Sequence, residues 1–175
     1  MVMKPVPAQT GFSLMELMTA LTVLGVLLAL AGPGLADFVE ESRLSGSSRD
    51  FVVDFALARN EAAMRAQRVT VCTSSDGATC ANDDWNNGRL VFIDNNGTVG
   101  DVDVGDLILS TTPALDPAIV TDPDGAADAF FLSFTPTGRL AALGRIQVCS
   151  PGHERRVVNI HRSGAATLDR EAVAC

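Results

Sequence analysis

The sequence predicts an α+β protein: one long N-terminal helix, its first half apolar enough for a membrane, its second half packed on an antiparallel β-sheet domain. Three observations carry this. No charged residue occurs between Leu17 and Ala36. Beyond that stretch Phe51, Phe55, Ala58, Ala62 and Ala66 recur at helical spacing on one face. From Arg68 onward, short apolar or alternating runs are separated by clusters of Gly, Asn, Asp and Pro, the pattern of strands joined by turns.

The uncharged stretch is long enough as a helix to reach about 30 Å, the thickness of a bilayer core. Its Leu and Val side chains favour insertion by about 3–5 kcal/mol. A secretory signal would place its apolar run before a small-residue cleavage site. Here a short polar leader, Met1 to Gly11, precedes the run instead, and the junction reads G-F-S-L-M-E-L over Gly11–Leu17. Glu16 stands out because a carboxylate at the head of a membrane helix is costly unless it has a partner. Further on, Glu61 and Arg65 are spaced as a favourable i,i+4 pair, and Ser45-Gly46-Ser47-Ser48 is a weak helix former where a bend is expected. The candidate strands are Arg68–Thr73, Arg89–Asp94, Asp106–Ser110, Ala129–Thr135, Arg145–Ser150, Arg155–His161 and Ala165–Leu168.

With 175 residues the chain has room for one anchor and one small domain. The net charge of −8 argues against indiscriminate nucleic-acid binding, but it is unevenly spread. Residues 69–138 hold Arg89 alone against 11 acids, whereas residues 139–175 hold 6 arginines against 3 acids. The four cysteines include no C-x-x-C, and neither His153 nor His161 stands at zinc-ligand spacing from one. In a chain whose apolar segment exports it, an even count reads as two disulfides. Of the three possible connectivities, the one that closes local structure pairs Cys72 with Cys80 and Cys149 with Cys175.

The Gly11–Leu17 junction resembles the processing site of type IV prepilins and pseudopilins. That resemblance implies that a membrane peptidase cuts between Gly11 and Phe12 and methylates the new amino terminus. It implies that Glu16 takes the amino terminus of an adjacent subunit and sets axial register during assembly. Pro33, between two glycines, stands where pilin-like helices often carry a kinking proline. The domain is similar to the GspH/FimT branch of minor pseudopilins and minor pilins. It carries A-R-N-E-A at Ala58–Ala62, V-T-V-C at Val69–Cys72, D-W-x-x-G-R-L-V-F-I-D through Asp94, F-T-P-T-G at Phe134–Gly138, and R-I-Q-V-C at Arg145–Cys149. The implied organisation is a leader over 1–11, a transmembrane half-helix over 12–36, an amphipathic half-helix over 37–68 and a periplasmic β-rich domain over 69–175. The implied role is structural: a subunit that joins or primes an inner-membrane filament, for type IV pilus assembly or type II protein secretion. Its partners would be the prepilin peptidase, other pilin or pseudopilin subunits, the inner membrane and secreted cargo.

Three alternatives are weaker. Residues Asp94–Asp103 look like a calcium loop, but Thr98 and Gly105 stand where such a loop needs ligands, so a solvated hairpin loop is expected and no metal or cofactor. No serine or cysteine sits in a nucleophile motif, so no enzyme is expected. Some members of the branch act as DNA receptors through a G-R-x-R motif. The corresponding stretch here, Gly164-Ala165-Ala166-Thr167, lacks both arginines, which leaves Arg155, Arg156 and Arg162 as the DNA candidates. The processing reading is checked by intact mass after co-expression with a prepilin peptidase: the product is expected to begin at Phe12.

Overall fold

The computed structural model of the chain describes residues 11–81, 83–95, 98–125, 127, 130–140 and 142–175, without the side chains at 30–33 and 174. The Pro33 side chain, on which the expected kink depends, therefore lies outside what is described. Two compact units divide the chain at Val39/Glu40.

The first unit is helical. Helix α1 runs Leu14–Arg65 and begins in this unit. The backbone N–H groups of Glu16 and Leu17 donate to the Ser13 carbonyl, which starts the helical ladder. Every large apolar side chain from Leu14 to Leu28 is at least 51% exposed, so this stretch buries none of its faces within the chain. No single unbroken helix among the described residues is long and apolar enough to cross a membrane. The stretches Leu14–Ala29 and Gly34–Arg65 together are, by length and composition.

The second unit holds the rest of α1 and, among the described residues, eight strands. These are β1 (Val69–Thr73), β2 (Arg89–Ile93), β3 (Leu107–Thr112), β4 (Val120–Gly125), β5 (Phe131–Phe134), β6 (Gly144–Cys149), β7 (Glu154–Ile160) and β8 (Ala166–Ala174). They form two four-stranded antiparallel sheets, ordered β3-β2-β1-β5 and β4-β6-β7-β8. A 3-10 turn, Trp85–Asn87, precedes β2.

The helix enters the core through Leu44, Ser48, Phe51, Phe55, Ala58 and Ala62, all fully buried. The apolar stripe thus starts a turn and more before Phe51 and stops before Ala66. Ala66 instead takes a left-handed φ of 53°, and the Gln67 N–H reaches back to the Ala62 carbonyl to close the helix end. The bend expected at Ser45–Ser48 does not break the helical ladder. Ser48 donates its hydroxyl to the Leu44 carbonyl at 2.7 Å, so a small polar side chain is satisfied where it is buried.

Against the stripe pack Val69, Val71, Val91, Ile93, Leu132 and Phe134 of one sheet and Ile146, Val148, Val158 and Ile160 of the other. Cys72, Leu90 and Phe92 form a smaller cluster, on which Cys80, Val102 and Phe131 pack. With two clusters to serve, β1 and β2 are buried at every position, which is why their sequences run apolar rather than alternating.

Strand boundaries differ from the sequence expectation by a residue or two for most elements. Ala129, the expected start of β5, lies outside the described residues. Two differences have a physical cause. Strand β4 was not expected because V-T-D-P-D-G reads as a turn. It lies at a sheet edge, where Pro123 needs no amide hydrogen for a further neighbour. Strand β8 runs six residues past the expected Leu168, because β7 offers a partner along Asp169–Ala174.

One polar contact joins helix to sheet inside this core. Arg89 is 1% exposed, and its Nε donates to Asp54 Oδ2 at 2.9 Å. Its guanidinium carbon lies 3.8 Å from the centroid of the Phe51 ring. The Thr112 hydroxyl of β3 donates to the same carboxylate at 3.1 Å. Burial pushes the Arg89 pKa down, and the Asp54 charge opposes that shift. Phe51 packs in turn with Phe55 and Trp85, the three ring centroids lying 6.1–6.3 Å apart, and Trp85 donates its indole N–H to the Ala127 carbonyl. Arg89→Met strands a buried carboxylate and is expected to cost about 3–5 kcal/mol in urea unfolding, whereas the double change Asp54→Leu with Arg89→Met recovers more than half of that loss.

Candidate functional site

The residues singled out at the amino terminus sit together on the first unit. Gly11, Phe12 and Ser13 precede α1 and are exposed, Phe12 at 84%. Glu16 lies in the first turn of the helix, four residues after Phe12. It opens a groove along one helical face, lined further by Thr19, Ala20, Val23, Leu24 and Leu27. Thr19 and Thr22 return their hydroxyls to the carbonyls of Glu16 and Thr19, at 2.9 and 2.8 Å. That leaves the Glu16 carboxylate as the polar group of the groove without a hydrogen bond among the described residues. The arrangement is a carboxylate at the head of a largely apolar, exposed helix face.

The four cysteines stand as two bonded pairs in the second unit, Cys72–Cys80 and Cys149–Cys175, with Cα–Cα distances of 5.7 and 5.6 Å. The first pair closes a loop organised by Asp76, whose carboxylate accepts from the Ala78 and Thr79 amides at 2.8 Å. The Thr79 and Ser74 hydroxyls bond the same side chain. These bonds, the Thr79 amide foremost, hold the Asp76 carboxyl well below the usual carboxylate range. The second pair joins the end of β6 to the last residue, beyond β8.

The DNA candidates are mostly committed elsewhere. Arg156, 3% exposed, bonds Glu41 of α1, and Arg170 joins the same carboxylate at 2.9 Å. His153 Nδ1 lies 3.7 Å from Glu41, its Nε2 lies 3.5 Å from Glu40, and Ser150 donates to Glu40 at 3.4 Å. Arg155 bonds Gln147, and Arg145 pairs with Glu171 at 2.5 Å. Arg162 is exposed and makes no ion pair among the described residues. Of these three, Arg162 alone is without an ion pair or side-chain hydrogen bond among the described residues.

Sequence reasoning missed both the Asp54–Arg89 pair and the Glu41 cluster. For the first a signal existed: a single arginine amid the acids of 69–138, beside a tryptophan. For the second there was none, since its members lie more than a hundred positions apart. In the Asp94–Asp106 region, Asp94 is buried at the end of β2, which pushes its carboxyl up, while it accepts from the Thr70 hydroxyl at 3.1 Å. Asp103 and Asp106 accept amide bonds from within the loop. No cluster of three metal-ligating side chains occurs among the described residues.

A helix that begins in an apolar stretch and packs its later turns on antiparallel sheets, behind a prepilin-type amino terminus, defines a pilin-type subunit. The chain belongs to the family described as type II transport protein GspH, whose model matches residues 47–164. The prokaryotic N-terminal methylation motif matches residues 7–32. Among solved structures, the chain resembles the type IV minor pilin FimU of Pseudomonas aeruginosa. The identity is 17% and the TM-score 0.59, covering 79% of this chain and 99% of that one. It also resembles the minor pseudopilin EpsH from the type 2 secretion system of Vibrio cholerae. There the identity is 15% and the TM-score 0.50, covering 74% and 97%. At such identities the likeness speaks for the fold. No curated protein sequence matches the chain.

The Asp76 bonds set a sign for the pH dependence of stability. A depressed carboxyl contributes stability that is fully present above its unfolded value of about 3.9 and is lost as pH falls below it. Melting from pH 6 down to pH 2 is expected to show a shallower acid-side fall in Tm for Asp76→Asn than for the parent.

Proposed function

We propose that this chain is a minor pilin-type subunit, processed at Gly11/Phe12 and anchored in the inner membrane with its domain in the periplasm. It joins or primes a filament for type IV pilus assembly or type II secretion. The observation that carries this reading is Glu16 at the head of the apolar groove. Among the described residues that carboxylate has no hydrogen-bond or ion-pair partner, and the helix face beside it is exposed and largely apolar. The amine released at Phe12 of an adjacent subunit supplies a cation, and that subunit's helix fills the groove.

The physical sequence is short. The peptidase cuts after Gly11, where the missing Cβ leaves the scissile carbonyl accessible in an extended backbone. The new amine is a cation at neutral pH, and methylation preserves it as one. Within a membrane a carboxylate gains most by pairing, so each incoming subunit stops where its amine meets the Glu16 of its neighbour. The register follows from that pair, and lateral packing of the apolar helices holds it. The domain is left to face other subunits or cargo, and its action involves no catalysis.

Arg156 and Arg170 on Glu41, and Arg155 on Gln147, support this reading over a DNA receptor, because those cations are already neutralised or bonded. The test is Glu16→Ala. Processing and membrane insertion are expected to continue, with insertion slightly easier, while recovery of the subunit in sheared filaments falls about tenfold or more. Parent-level recovery of the alanine variant counts against the register role.

A further inference from the structure

The chain pairs its cations thoroughly. Of 12 arginines, Arg43, Arg65, Arg68, Arg89, Arg145, Arg156 and Arg170 form ion pairs and Arg155 bonds an amide. Among the described residues the side chains of Arg49, Arg59, Arg139 and Arg162 do neither. Three of these four converge. Arg59 lies in the last two turns of α1, and its stem runs over two tight turns, those at Gly138 and Gly164. A Cβ at Gly138 would stand 3.2 Å from Arg59 Cγ, and one at Gly164 would stand 3.2 Å from Arg59 Cδ. A Cβ at Gly164 would also stand 1.9 Å from the Gly138 carbonyl oxygen, so the two turns touch. Both glycines have left-handed φ, 70° and 78°, so any side chain there would be strained as well as crowded. Arg139 follows Gly138 directly, and the Arg162 carbonyl accepts the Leu140 amide at 3.1 Å. The backbones that carry these three exposed arginines thus meet at the two turns, and none of the three side chains pairs with an acid among the described residues.

We infer that this face, Arg59, Arg139 and Arg162, docks a carboxylate-rich surface of a neighbouring pilin-type subunit. The inference rests on the filament reading above. Three like charges gathered on an acidic protein repel one another unless an anion sits between them. A protein surface fits better than a nucleic acid. Duplex DNA carries a charge every ~1.7 Å and would extend past three cations onto a molecule of net charge −8. A compact group of carboxylates can meet the three arginines alone, each guanidinium offering a planar fork to one carboxylate. The neighbour's acidic patch also gives orientation, since rim charges of this kind choose partners and steer encounter more than they add affinity.

The test places a photocrosslinking amino acid at Thr137, exposed on the same turn, in the full chain expressed in its own cells. Sheared filaments are illuminated and the adduct is mapped by mass spectrometry. The expected adduct is a peptide of a pilin-type subunit, a second copy of this chain included, from a stretch of net negative charge. The triple variant Arg59→Glu, Arg139→Glu and Arg162→Glu is expected to lower its yield about tenfold. Replacing the mapped acids of the neighbour by arginine restores the yield in that variant. Retention of the parent Tm by the triple variant, or by the milder Arg→Gln set, shows that folding is not the cause. A nucleic-acid adduct, an adduct on a neutral or basic stretch, or no adduct from recovered filaments overturns the docking inference. Absence of the subunit from the filament fraction, by contrast, overturns the filament reading itself.

Discussion

The contact between Asp54 and Arg89, set among Phe51, Phe55 and Trp85, is what the domain is built around. A helix with one apolar stripe can slide or rotate on a sheet at small cost, because dispersion contacts are not directional. A buried guanidinium cannot move in that way. It must meet its carboxylate at bonding distance, and the penalty for missing is several kcal/mol. The Thr112 hydroxyl ties β3 to the same carboxylate, so the helix, the start of β2 and the edge of its sheet share one point of reference. The motif D-W-x-x-G-R-L-V-F-I-D thus has a structural explanation. Its tryptophan packs on the Phe51 ring that covers the arginine, its arginine makes the pair, and its last aspartate is buried beside β1.

A second polar link acts at the start of the domain. Glu40 and Glu41, the first residues of the second unit, are held by Ser150, His153, Arg156 and Arg170. Between this link and the apolar core the helix uses Ser-Gly-Ser-Ser, residues with little intrinsic helical preference. Tertiary contacts on both sides compensate for that weakness: Leu44 and Ser48 are fully buried and Arg43 pairs with Asp116. Helix formation here follows packing rather than propensity.

The acidic composition and the exposed arginines belong to one account. Most of the arginines are paired within the chain, and two of them, Arg89 and Arg156, are buried where an unpaired charge is expensive. The three left on the Gly138 and Gly164 turns are the ones whose positions are most closely dictated by backbone contact. A surface that is acidic overall, with one small basic face, suits selective docking among similar subunits better than adhesion to a polyanion.

Much of this was legible in the sequence. The helix showed in the spacing of Phe51, Phe55, Ala58 and Ala62, because burial of one face imposes a 3.6-residue period whatever lies opposite. Seven of the eight strands among the described residues showed in apolar runs bounded by turn residues, and the prepilin-type junction showed because the N-terminal methylation motif is a local sequence pattern. Strand β4 did not show, since Pro123 and its acidic neighbours have turn chemistry and only an edge position lets them serve as a strand. The Glu41 cluster and the three convergent arginines did not show either. Their members are separated by tens to more than a hundred residues, and nothing local marks which of the arginines finds an acid. Sequence by itself determined what each segment prefers, namely apolar helix, amphipathic helix or strand, and carried the N-terminal methylation motif. Tertiary structure alone decided which charges meet and which are left facing outward, because pairing depends on distances that only the folded chain sets.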